Sequence, residues 1–155
     1  MPAHEISLHL TEDDLTALAR RFGAIAQPGT TFLLNGDLGT GKSTFARAMI
    51  RALAPAEQDI PSPTFTLVQV YDAAGFEVWH SDLYRLSSVD EILELGLVDA
   101  LADAVCIVEW PDALGEFAPR DAIRIELAHV PDESLRALSI TAPFPLEPLT
   151  QGSAQ

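Results

Sequence analysis

The segment NGDLGTGKST, residues 35–44, contains Lys42, the only lysine of the 155-residue chain. It has the spacing Gly-x4-Gly-Lys-Ser, follows the apolar residues 31–34 and precedes a run of good helix formers that begins at Lys42. Glycines in such a loop let successive backbone N–H groups point at phosphate oxygens, and the following helix adds its positive dipole end. The sequence therefore predicts a strand, a phosphate-binding loop and a helix.

Two side chains of this loop are suited to bind a nucleotide and its metal ion. The ammonium of Lys42 is compact enough to reach the β and γ phosphates, where the planar fork of arginine is a poor substitute. The Ser43 hydroxyl is suited to Mg²⁺, which bridges phosphate oxygens and keeps several waters. The candidate nucleotide-binding residues are Gly39, Thr40, Gly41, Lys42, Ser43 and Thr44.

The absence of a second lysine bears on whether the loop binds ATP or GTP. Ras-type GTPases read guanine with an Asn-Lys-x-Asp element, and with Lys42 in the loop no lysine remains for one. Residues 72–75 and 112–115 have the DxxG spacing of a GTPase switch, but the first also fits a hairpin turn. ATP is the predicted nucleotide, and a GTPase with unusual base recognition is the alternative.

Two carboxylates follow apolar segments that are typical of strands. Glu109 follows AVCIV, where the metal-supporting acid of a phosphate-loop protein is expected, and Asp82 ends FEVWHSD. The scattered arginines form no cluster that would clamp a second phosphate substrate, so water is the predicted acceptor.

Composition and net charge limit the number of domains, the binding partners and the cellular compartment that we expect. The chain has 48% hydrophobic residues, enough for one domain with a core, and its net charge of -14 disfavours direct binding to nucleic acid. A single cysteine, Cys106, predicts a reducing compartment and a buried thiol. We find no secretory signal and no run of 18 apolar residues, which predicts a cytoplasmic protein without a membrane segment.

The order of elements predicts an α/β fold. Residues 4–10 alternate as in an edge strand, and Thr11 is placed to cap the helix that follows. Later segments predict a hairpin around residues 72–75, a short helix capped by Ser88 and two further strands. We expect one domain over residues 1–141 and a disordered, proline-containing tail over residues 142–155.

Four motifs occur together: GDLGTGKST, SPTF, HSDLYR and VEWP, in this order. In that combination the chain resembles the bacterial TsaE family, the small ATPases required to make threonylcarbamoyladenosine (t6A) in tRNA. The resemblance implies a P-loop NTPase fold, a three-layer α/β/α domain with a mixed, mainly parallel sheet. Ser43 stands where the family often has threonine and keeps the hydroxyl, whereas Ser81 replaces a bulky apolar residue beside Asp82.

The resemblance also implies roles for individual residues. Ser43 and Glu109 would hold Mg²⁺, Thr64 would act as a switch residue near the γ-phosphate, and Asp82 would orient water or support the metal. Thr11 is a candidate adenine contact as well as a helix cap, and the turn at residues 131–136 is a second approach to the base. His80 is interpreted as structural.

The resemblance implies ATP hydrolysis that is weak without partners and that resets a complex of TsaD and TsaB. The protein would be linked to tRNA only indirectly, through that complex. The alternative from another class is a binding module in which ATP favours a partner and hydrolysis is not required.

Overall fold

The computed structural model describes residues 3–56, 59–63, 66–86 and 88–150. Within these ranges the chain forms seven strands and five α-helices. The strands are β1 (His4–Leu10), β2 (Thr31–Asn35), β3 (Val68–Ala73), β4 (Phe76–Asp82), β5 (Val105–Glu109), β6 (Ile123–His129) and β7 (Arg136–Ala142). The helices are α1 (Glu12–Ile25), α2 (Lys42–Leu53), α3 (Val89–Glu94), α4 (Leu97–Asp103) and α5 (Glu147–Thr150), and 3₁₀ turns occupy Pro111–Phe117.

The strands form one sheet in the order β1-β7-β6-β2-β5-β4-β3. The four middle strands, β6, β2, β5 and β4, run parallel, while β1, β7 and β3 join by antiparallel pairings. The mixed, mainly parallel sheet predicted from the sequence is therefore confirmed. β1 lies at an edge and β2 at the centre, as the alternating and the continuous apolar patterns indicate.

Helices cover both faces of the sheet and make three layers. One apolar core lies between the sheet and α1 and α2, where the ring of Phe22 contacts those of Phe32 and Phe45. A second core on the opposite face contains residues of α3 and α4 together with Leu33 and Cys106. The buried thiol predicted for Cys106 is confirmed. None of the described helices is long and apolar enough to cross a membrane.

Local signals place the helix starts. The Thr11 hydroxyl accepts a hydrogen bond from the Asp14 N–H at 3.2 Å, and the Ser88 hydroxyl accepts one from the Glu91 N–H at 3.4 Å. Both caps satisfy backbone donors that the first helical turn leaves without partners. The predicted caps are confirmed.

The segment after β7 differs from the prediction of a disordered tail over residues 142–155. Leu146 and Leu149 are buried against the first core, and the Arg21 guanidinium donates a hydrogen bond to the Leu149 carbonyl at 2.6 Å. These apolar side chains cover core surface that water would otherwise reach, which favours a packed segment despite its prolines. The folded domain therefore continues to residue 150, and residues 151–155 lie outside the described part of the chain.

Candidate nucleotide site

A cavity of about 490 Å³ lies where the middle strands end. Eight of the residues predicted for the site line it: Gly39, Thr40, Gly41, Lys42, Ser43, Thr44, Asp82 and Glu109. The start of α1 and the turn between β6 and β7 also line the cavity, with Glu12, Leu15, Glu133, Ser134 and Arg136. In parallel sheets, ligands bind at this edge, beyond the carboxyl ends of the strands.

The glycine loop, which we define as residues 36–43, has a backbone that other residues would strain. Gly36 has φ of 151°, and a Cβ there would collide with the Leu127 carbonyl of the neighbouring strand. Gly41 has φ of 107° and precedes α2, whose N-terminus has no side-chain cap. The first turn of α2 therefore presents uncapped N–H groups to the cavity, an arrangement that favours an anion.

Lys42 lies at the centre of this loop and is only 5% exposed. Its ammonium donates hydrogen bonds to the Gly36 carbonyl and, at 2.9 Å, to the Asp37 carbonyl. Burial is the largest influence on this group and lowers its pKa, against the attraction of the carboxylates of Glu109, Asp82 and Asp37. A buried ammonium held mainly by carbonyl oxygens is suited to meet further negative charge.

Glu109 connects the loop to the sheet. The Ser43 hydroxyl donates a hydrogen bond to Glu109 Oε1 at 3.2 Å, and His80 Nε2 lies 2.6 Å from Glu109 Oε2. Glu109 ends β5, and its register partner on β4 is Asp82, so the two carboxylates lie on neighbouring strands. The predicted pair of strand-end carboxylates is thus brought to the same wall of the cavity.

Trp110 lines the cavity, and its ring contacts that of Tyr84. Trp110 has the left-handed backbone conformation, with φ of 55°, and its N–H donates to the Leu34 carbonyl at 3.2 Å. Its ring lies 4.2 Å from the Lys42 ammonium and 4.8 Å from the Tyr84 ring centroid. A non-glycine residue with positive φ at a site is strained backbone that the surrounding contacts must hold.

Of the two remaining predicted site residues, one does not line the cavity and the other lies outside the described residues. Thr11 caps α1, and within the described residues it does not line the cavity, whereas Glu12 and Leu15 do. Thr64 lies outside the described residues. Sequence reasoning missed Glu12 and Leu15, although their spacing of three residues places them on one face of the first turn of α1.

The turn between β6 and β7, which is the second expected approach to the base, contributes residues to the cavity. Glu133, Ser134 and Arg136 line the wall, and the Arg136 guanidinium donates to the carbonyls of Glu133 and Leu135 at 3.0 and 2.9 Å. His80, which the sequence analysis interprets as structural, contacts Glu109, and only the strand pairing reveals that contact.

The loop between a central strand and an uncapped helix, with an acid ending the neighbouring parallel strand, defines a protein of the P-loop NTPase fold class. A solved structure described as Bacillus subtilis YdiB has the same fold, with a TM-score of 0.71 and 26% identity. The match covers 92% of this chain and 88% of that one.

The sequence identifies the particular family. Residues 10–137 match the family described as threonylcarbamoyl adenosine biosynthesis protein TsaE. The tRNA threonylcarbamoyladenosine biosynthesis protein TsaE of Rickettsia bellii is 38% identical over 84% of this chain and 90% of its own length. The protein of that name from Bacillus subtilis is 33% identical over 84% of this chain and 80% of its own length. The chain belongs to the TsaE family.

Proposed function

We propose that this chain binds ATP with Mg²⁺ in the cavity, hydrolyses it, and thereby serves t6A modification of tRNA by acting on a TsaD–TsaB complex. The observation that carries the proposal is the arrangement of Lys42, Ser43 and Glu109 at the uncapped start of α2. Membership of a family whose curated relatives are t6A biosynthesis proteins supports the biological role.

The loop supplies the binding energy for a triphosphate. The uncapped N–H groups of α2 and its dipole attract phosphate oxygens. The Lys42 ammonium now donates to two loop carbonyls, and we expect it to exchange these for phosphate oxygens when a nucleotide enters. Because burial disfavours the charged form of Lys42, anionic phosphate oxygens beside the ammonium would stabilise that form.

The oxygens of Ser43 and Glu109 fit a magnesium ion. A hydroxyl and a carboxylate lie 3.2 Å apart, and Mg²⁺ prefers oxygen ligands, with one or two carboxylates beside phosphates and waters. The described residues contain no cluster of three His, Cys, Asp or Glu side chains that could hold a metal alone, which agrees with a metal that arrives with the nucleotide. When bound, the ion would neutralise charge on the phosphate oxygens.

Asp82 is the better candidate to orient the attacking water. Glu109 Oε1 accepts from Ser43, the hydroxyl that we propose for the metal, and Oε2 lies beside His80. Asp82 is held by the Tyr84 N–H, which donates to Oδ1 at 3.0 Å, and its side chain lines the cavity. We therefore assign Glu109 to the metal and Asp82 to the water.

The cationic side chains of the cavity support the proposed role of partner proteins. Lys42 and Arg136 are the only cationic side chains among the described residues that line the cavity, and Arg136 already donates to two carbonyls of its own turn. Phosphoryl transfer needs cationic groups around the transition state, and an arginine often arrives from another protein. We expect slow hydrolysis by the isolated chain and stimulation by TsaD and TsaB.

One experiment tests this function. ATP turnover and t6A formation are measured for the purified chain alone and with TsaD, TsaB and tRNA, for wild type, Glu109→Gln and the exposed control Glu116→Gln. We expect stimulation by the partners, and a Glu109→Gln variant that binds ATP but supports neither reaction, while Glu116→Gln matches wild type.

The alternatives make different predictions. A Glu109→Gln variant that still supports t6A formation would indicate a binding module that needs no hydrolysis. Clear preference for GTP over ATP in equilibrium competition would indicate a GTPase, and absence of stimulation by TsaD and TsaB would remove the proposed partners.

A further inference from the structure

His80 and Glu109 form a buried pair behind the nucleotide site. His80 is 0% exposed and Glu109 is 2% exposed, and the His80 Nε2 to Glu109 Oε2 distance is 2.6 Å. A carboxylate can only accept hydrogen bonds, so the proton of this contact belongs to Nε2. The other ring nitrogen, Nδ1, is buried and has no hydrogen-bond partner among the described residues.

The surroundings of His80 are largely apolar, so the hydrogen bond to Glu109 is its main polar interaction. Its neighbours on the same face of β4 and β5 include Val78 and Ile107, which belong to the first apolar core. An imidazole with one unpartnered nitrogen is costly in such a place, where an apolar side chain would pack at no polar cost. The hydrogen bond to Glu109 is the compensating interaction that the structure shows.

The contact with His80 fixes the orientation of the Glu109 carboxylate. With Oε2 held by His80, Oε1 is the oxygen that accepts from Ser43 and faces the glycine loop. His80 itself cannot reach a substrate, because it is fully buried and its Nε2 is already occupied by Glu109. It is therefore a positioning residue and not a catalytic one.

We propose that the Nε2–H of His80 orients Glu109 for the metal and thereby sets the magnesium affinity of the nucleotide complex. The proposal rests on the proposed function, since it requires Ser43 and Glu109 to hold Mg²⁺ beside a bound nucleotide. Hydrogen bonds behind a ligating carboxylate fix its orientation, and their loss typically lowers metal affinity by about 10- to 100-fold.

Two polar variants isolate the contact. In His80→Gln the amide nitrogen occupies about the position of Nε2 and can still donate to Glu109, whereas in His80→Asn the shorter amide falls near Nδ1 and cannot reach it. Both place one amide in the same buried site, but only the Asn amide would lose the contact with Glu109, so the stability of each variant is measured separately. Ser81→Ala is the matched control, since Ser81 is fully buried on the same strand and its hydroxyl has no partner among the described residues.

The measurement is a titration of a fluorescent ATP analogue at increasing Mg²⁺ concentrations and again in EDTA, together with the thermal midpoint of the nucleotide-free protein. We expect His80→Asn to need about 10- to 100-fold more Mg²⁺ for half of the metal-dependent gain in affinity. His80→Gln and Ser81→Ala should stay within about threefold of wild type, and affinity in EDTA should be the same in all four proteins. If His80→Asn does not fold, His80→Leu takes its place.

The outcomes separate the two proposals. If wild type shows no Mg²⁺-dependent gain in nucleotide affinity, the proposed metal site fails and this inference fails with it. If wild type shows the gain and His80→Asn has the same Mg²⁺ midpoint, only the role of His80 is overturned. An equal loss of affinity with Mg²⁺ and in EDTA would show a general structural role, which also overturns it.

Discussion

The Lys42 ammonium lies 4.2 Å from the centroid of the Trp110 ring. A cation over an aromatic face is attracted to it, more strongly where water is excluded. The same ammonium donates to carbonyls of the glycine loop, so three groups share a charge that the proposed function assigns to phosphate. Binding of a nucleotide should therefore change the environment of Trp110.

Tryptophan emission should report this change. In Trp79→Phe the remaining tryptophan is Trp110, and we expect its emission to shift in intensity when ATP and Mg²⁺ are added, because the ammonium leaves its ring. Lys42→Met should lose the response together with nucleotide binding. A calorimetric titration that shows binding by Trp79→Phe while the emission stays constant would contradict the prediction.

The paired carboxylates should have separable roles. We expect Asp82→Asn to lower ATP turnover by about 100-fold or more while nucleotide affinity changes by only a few fold, because a water-orienting group acts on the chemical step. Glu109→Gln, which we also expect to lose turnover, should differ from Asp82→Asn by raising the Mg²⁺ concentration that nucleotide binding requires. Because the residues are register partners, the double variant should be less impaired than the sum of the single effects, and strict additivity in partner-stimulated turnover would argue against a shared site.

Gly36, the first residue of the glycine loop, allows the loop backbone to pass close to the Leu127 carbonyl. In Gly36→Ala a Cβ would meet the Leu127 carbonyl in a left-handed backbone, so we expect a loss of about 2 kcal/mol or more in the free energy of unfolding. Gly75→Ala is the control, because Gly75 has φ of 89° but open space around it, and should cost about 1 kcal/mol. Equal losses in urea unfolding would show that collision with Leu127 does not matter.

The buried thiol of Cys106 should be inert in the folded protein. Burial raises its pKa from 9.0 to about 12, so between these values the folded state keeps a proton that the unfolded state loses. The contribution of Cys106 to stability therefore falls as pH rises from 9 toward 12, and Cys106→Ala should lack that part of the decline. Alkylation by iodoacetamide at pH 8 should follow unfolding, and rapid labelling of native protein would contradict the burial.

The packed segment after β7 should contribute to stability. Leu149→Ala removes a side chain that is 8% exposed, and we expect a loss of about 2 kcal/mol in the free energy of unfolding. Leu93→Ala removes the same atoms from a side chain that is 48% exposed and should stay within about 0.5 kcal/mol of wild type. Similar midpoints for all three proteins in urea would indicate that this segment does not pack in solution.

Features that depend on near neighbours in the chain were predictable. The glycine loop, the caps at Thr11 and Ser88 and the hairpin at residues 72–75 each join groups a few residues apart, so their chemistry is visible in the sequence. The same local view predicted a disordered tail from its prolines, and it failed there because Leu146 and Leu149 are stabilised by contact with a distant core.

The sequence by itself determined the fold class, the position of Lys42 and Ser43, and the two acids that end strands, because hydrophobic pattern and loop chemistry are properties of short segments. Only the tertiary structure decided that Asp82 lies beside Glu109, that His80 contacts one oxygen of Glu109, and that α1 and the β6–β7 turn line the same cavity. These contacts join residues far apart in the chain, and strand order and register, which no local pattern specifies, bring them together.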